Sequence, residues 1–94
     1  MIFGRFTERA QVVLVEAQQE SQSFKHGYIG TEHVLLGILK ENGYAGQLLT
    51  NKGITIDKVK KMTEDYLGFG DDEVSTGEML LTPRAERLFD ARYD

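Results

Sequence analysis

The apolar positions of this chain fall into helical spacing, in blocks punctuated by glycine. Ala10, Val13, Leu14 and Ala17 follow the i, i+3, i+4, i+7 template of an amphipathic helix. Thr7 precedes them as a cap, so the pattern predicts a first helix from Glu8 to about Phe24. Val12 and Val15 widen the stripe and imply cover on more than one side. Gly27 supplies a left-handed stop. After the connector Gly27-Tyr28-Ile29-Gly30, Thr31 caps a second helix predicted over residues 32–41. Val34, Leu35, Leu36, Ile38 and Leu39 make it apolar nearly all round, the mark of a central, buried helix. Gly37 inside it costs about 1 kcal/mol relative to alanine, which a close helix crossing would explain. Gly43 ends it.

A short third helix is predicted over residues 44–51, with Leu48 and Leu49 inward and Gly53 as its stop. Thr55 caps a fourth, in which Ile56, Val59, Met62, Tyr66 and Leu67 keep helical spacing up to Gly68. No segment alternates with period two over the length of a strand, so the fold class is all-α. Residues 69–81 change character: Gly70, Asp71, Asp72, Glu73, Ser75, Thr76 and Gly77 read as a linker. Met79, Leu80 and Leu81 are expected to dock back on the body. Thr82-Pro83 then opens a fifth helix, because the residue before proline is pushed out of the helical region and proline suits the first helical position.

That fifth start repeats the first. Thr7-Glu8-Arg9-Ala10 aligns with Thr82-Pro83-Arg84-Ala85, 75 residues on, with Phe6 and Leu81 before the threonines and Val13-Leu14 matching Leu88-Phe89. The domain reading is therefore one complete four-helix repeat over 1–68, a linker over 69–81, and the first helix of a second repeat over 82–94. The counterpart of Thr31-Glu32-His33 would fall near position 106, so the chain reads as a fragment.

Composition narrows the chemistry. Ninety-four residues with ordinary apolar content form one small soluble domain. No cysteine is present, which removes disulfides, thiolate metal sites and a cysteine nucleophile, and fits a reducing cytoplasmic setting. Arg5, Glu8 and Arg9 interrupt the start of the chain where a signal peptide needs an apolar run, and no membrane-spanning stretch occurs. The net charge is −4, and the lysines at 58, 60 and 61 are interleaved with Asp57, Glu64 and Asp65, which argues against nucleic acid as a partner. Glu32 and His33 are adjacent, so on a helix they point about 100° apart and share no face. His26 does not stand at the i, i+4 spacing of a zinc helix, so neither metal nor catalysis is expected, and His33 reads as a hydrogen-bonded structural histidine.

The blocks Gly4-Arg5-Phe6-Thr7-Glu8-Arg9-Ala10, Ile29-Gly30-Thr31-Glu32-His33-Val34-Leu35-Leu36-Gly37 and Leu81-Thr82-Pro83-Arg84-Ala85 resemble the Clp N-terminal repeat domain, in the form found at the start of ClpC-type AAA+ unfoldases. The resemblance implies two four-helix repeats and a non-catalytic domain that docks adaptor proteins and substrates for an ATPase ring. No phosphate-cradling G-x-x-x-x-G-K-[ST] loop is present, so the chain itself is not an ATPase and needs no cofactor. The resemblance also implies phosphoarginine recognition. It pairs Thr7 with Glu32 in a first site and assigns Thr82 to a second whose glutamate would lie near position 106. A phosphoryl group wants N–H and hydroxyl donors, and a guanidinium wants a carboxylate. On the residues alone, capping accounts for the three threonines, and the helix dipole accounts for Glu32 as well as a ligand does. Phe3, Phe6 and Leu81 are candidates for an apolar adaptor surface, with core packing as the other reading. An alternative role is self-association as a homodimer through the face a second repeat would cover.

Overall fold

The computed structural model describes residues 7–70 and 81–88. Expectations for Phe3, Phe6, Met79, Leu80, Phe89 and for residues 71–80 of the 69–81 linker lie outside them. Five helices follow in order: α1 (Glu8–Ser23), α2 (Thr31–Glu41), α3 (Tyr44–Asn51), α4 (Ile56–Leu67) and α5 (Pro83–Leu88). Among the described residues the one extended pairing is a parallel bridge between Ile29 and Leu81. The fold is all-α.

Helix α2 is the central element, as its sequence requires. Its Val34 packs with Val13 and Ala17 of α1, with Ile29 and with Ala85 of α5, while Leu36 and Leu39 pack with Phe24 and Val59 of α4. Leu14 and Leu36 are wholly buried, each contributing about 1.5–3 kcal/mol. Gly37 marks the crossing with α1, where a Cβ would collide with the backbone carbonyl of Val13. Arg9, near the start of α1, lies 3.7 Å from Glu41 at the end of α2. The two helices therefore run in opposite directions.

Several local expectations are corrected. The left-handed residue after α1 is Lys25 (φ 56°), not Gly27. The N–H groups of Lys25 and His26 donate to the carbonyls of Gln22 and Ser21, a Schellman ending complete before the glycine is reached. Thr31 is the first residue of α2 rather than its cap. Gly30 takes the cap position, and its N–H is satisfied by the ring of His33. Asn42 (φ 57°) ends α2, leaving Gly43 to open α3.

Helix α4 is rotated from its expected face. Val59 and Thr63 are buried, the latter donating its hydroxyl to the Val59 carbonyl at 2.9 Å, whereas Met62, Tyr66 and Leu67 are exposed. The same face carries Lys60, which lies 3.7 Å from the buried carboxylate of Glu20 on α1. Leu48 is exposed, and Leu49 alone of that pair faces the core. Val12 and Val15 are about half exposed and line a shallow groove with Glu8 and Gln11, so α1 is covered on one side. Tyr44 stands in solvent, and Phe69 is exposed but stacks on Phe24 with ring centroids 5.3 Å apart.

Candidate functional site

The threonine caps share one geometry. Thr7 Oγ1 accepts from the N–H of Ala10 at 3.2 Å, and Thr82 Oγ1 accepts from the N–H of Ala85 at 3.1 Å. Thr82 is also tied to the body, since its N–H donates to the carbonyl of Ile29 at 2.9 Å. The start of α5 therefore lies beside the start of α2, and Thr82 shares a corner with Glu32.

Thr7 does not share it. It sits at the Arg9–Glu41 end of the bundle, and nine helical steps of α2, about 13.5 Å of axis, separate Glu41 from Glu32. The contact with Ile29 thus sets the start of α5 beside that of α2, and the antiparallel course of α1 and α2 sets Thr7 at the other end. Leu81 is half buried and packs against the cluster of Val13, Ala17, Ile29, Val34 and Ala85, which favours the core reading for that residue.

The Glu32 carboxylate folds back over the start of its own helix. A Cβ built on Gly30 would lie 2.7 and 2.8 Å from its two oxygens. The side chain keeps 24% of its surface in solvent, so the carboxylate is held yet reachable. Tyr28 lies beside it. Burial raises the Tyr28 phenol above its ordinary value, and the charge of Glu32 and a hydrogen bond to it push in the same direction.

Beneath this corner lies a relay that the sequence did not reveal. The Gly30 N–H donates to His33 Nδ1 at 2.9 Å, which fixes Nδ1 as the acceptor. His33 Nε2 then carries the proton and donates to His26 Nδ1 at 2.9 Å, and His26 Nε2–H donates to the Gly68 carbonyl at 2.8 Å. Two rings thereby join the start of α2 to the end of α4. Ser21, also buried, directs its hydroxyl to the carbonyls of His26 and Tyr28. Burial lowers the pKa of His33 to about 4 against the opposing pull of Glu32, with the neighbouring His26 also lowering it. His33 is therefore neutral near pH 7, and its 3.8 Å approach to Glu32 is not an ion pair there. With no exposed surface and both nitrogens committed, His33 is unavailable as an acid–base partner of Glu32. Two histidines flanking a short connector, one at the third position of a helix, were the only sequence signal for this network.

Fold and corner together define a small helical bundle in which two helix starts, those of α2 and α5, lie side by side. Residues 5–93 match the family model of the Clp repeat (R) N-terminal domain. The ATP-binding subunit ClpC of the ATP-dependent Clp protease from Staphylococcus aureus is 46% identical over 95 residues, and that from Staphylococcus epidermidis 44%. Each match covers the whole of this chain but 11% of the relative. The N-terminal domain of the caseinolytic protease associated chaperone ClpD from Arabidopsis thaliana superposes with a TM-score of 0.68 at 30% identity, covering 99% of this chain and 64% of that one. The chain belongs to the Clp N-terminal domain family.

Proposed function

We propose that this chain is a docking domain through which a cytoplasmic Clp unfoldase receives adaptor proteins and substrates, and that it recognises phosphoarginine on those substrates. Membership of the family and likeness to the ClpC subunits support the docking role. The observation that supports the ligand reading is the seam that sets the start of α5, with Thr82, beside the start of α2, with Glu32. Glu32 offers a reachable carboxylate for a guanidinium, bidentate in the favoured geometry. Thr82 accepts the Ala85 N–H, which leaves its own hydroxyl proton to donate to a phosphoryl oxygen. One ligand with a cation and an anion on the same group answers both. Thr7 lies outside this corner, and its role is to cap α1. The test is an NMR titration with free phosphoarginine. Amide signals of Gly30, Thr31, Glu32 and Thr82 are expected to move together, whereas movement confined to Thr7 and Arg9, or none at all, would count against the corner.

The half-exposed Val12 and Val15 favour a second reading, in which this face of α1 pairs with a second copy of the chain. Light scattering at high concentration tests it, and a monomer throughout would remove it.

A further inference from the structure

We propose that Gly30 is a positioning residue for the ligand carboxylate: its missing side chain is the space into which Glu32 folds. The inference rests on the phosphoarginine reading of the corner and deepens it. Three facts carry it. A Cβ on Gly30 would meet nothing nearer than Glu32, with Oε1 at 2.7 Å, Oε2 at 2.8 Å and Cδ at 2.9 Å. Real Cβ atoms do not approach so closely, so any side chain at 30 must displace the carboxylate. The backbone does not itself require glycine: Gly30 has φ −98° and ψ 179°, extended values that alanine adopts freely. The need for glycine at this position is therefore created by the carboxylate rather than by the chain path. The third fact is location. Gly30 follows Ile29, whose carbonyl holds the Thr82 N–H, so the carboxylate over Gly30 is seated one residue from the anchor of α5. A ligand held by both Glu32 and Thr82 needs the carboxylate in that seat, and rotation out of it would cost one of its two anchors.

Glu32 is a flexible side chain, so the clash relieves cheaply by rotation and the fold survives. The relay below is also spared, because alanine keeps the backbone N–H that Gly30 gives to His33. Gly30→Ala is thus a substitution that moves one carboxylate and little else.

The test compares the chain with Gly30→Ala and Glu32→Ala, titrating each with phosphoarginine by calorimetry. Gly30→Ala is expected to weaken binding by about tenfold or more, the scale of a lost charged hydrogen bond, while circular dichroism remains that of the parent. Loss of binding in Glu32→Ala with full binding in Gly30→Ala would overturn the positioning role and leave the site reading intact. Full binding in Glu32→Ala would overturn the site reading itself. A second readout needs no ligand. Tyr28 feels the Glu32 charge, so its phenol should titrate at lower pH in Gly30→Ala than in the parent, as it should in Glu32→Gln. An unchanged Tyr28 titration in Gly30→Ala, with a lowered one in Glu32→Gln, would mean that the carboxylate has not moved and would overturn the proposal.

Discussion

The N–H of Thr82 donates to the carbonyl of Ile29 at 2.9 Å, and Leu81, just before Thr82, bridges to Ile29 and packs on the core cluster that contains it. This contact is why two helix starts far apart in sequence occupy one corner. Thr82 works in both directions, anchoring through its backbone and capping through its hydroxyl. Thr82→Ala keeps the anchor and removes the cap, so it should destabilise the fold by about 1 kcal/mol in urea unfolding. No change in the unfolding midpoint would mean that α5 contributes nothing to the cooperative unit.

The histidine relay makes stability depend on pH. In the fold His33 takes a proton only near pH 4, whereas in the unfolded chain it does so near 6.5. Between those values the unfolded state binds more protons, so stability rises with pH there. The contribution is complete above pH 6.5 and is lost as pH falls toward 4, by roughly 2 kcal/mol or more. Urea unfolding at a series of pH values measures the slope. In His33→Gln the amide oxygen can accept from Gly30 as glutamine does in a capping box, and the slope in this window should flatten.

Gly37 tests the packing. The Cβ of Gly37→Ala would strike the Val13 carbonyl and lie 3.2 Å from the Ala17 nitrogen. Both are backbone atoms of α1, so neither can rotate aside, unlike the carboxylate over Gly30. A loss of about 1–3 kcal/mol is expected, despite the better helix propensity of alanine. Equal or greater stability of the variant would show that the crossing is looser than drawn.

Much of this fold was legible in the chain. Helical spacing and caps place all five helices, and Gly37 inside an apolar helix marks the crossing with α1. What was illegible has physical causes. Gly27 is the residue the sequence offers as the stop of α1, but the Schellman bonds of Lys25 and His26 hold a lysine in the left-handed region instead. Met62 and Thr63 are neighbours on α4, and hydrophobicity favours the methionine. The core took Thr63 because its hydroxyl bonds the Val59 carbonyl and because that rotation brings Lys60 to Glu20. In the candidate site, Glu32 and Thr82 were each visible as residues. Their nearness was not, because it follows from the seam between Ile29 and Leu81-Thr82, residues some fifty positions apart that no local pattern pairs.

Lys25 supplies a check on that account. A residue with a Cβ at φ 56° carries strain of about 1–2 kcal/mol that glycine lacks. Lys25→Gly should therefore raise stability, by about 1 kcal/mol after the added freedom of the unfolded chain is subtracted. Thermal unfolding of the two proteins decides it, and a lower midpoint for the glycine variant would contradict the left-handed assignment.

The most direct measurement of the central claim is calorimetric titration of phosphoarginine into the chain and into Glu32→Ala, Thr82→Ala and Thr7→Ala, with free arginine and inorganic phosphate as controls. The corner predicts saturable binding by the parent that Glu32→Ala abolishes, Thr82→Ala weakens and Thr7→Ala leaves unchanged, with neither half of the ligand binding comparably. Binding that survives Glu32→Ala, or that falls with Thr7→Ala and not with Thr82→Ala, would contradict it.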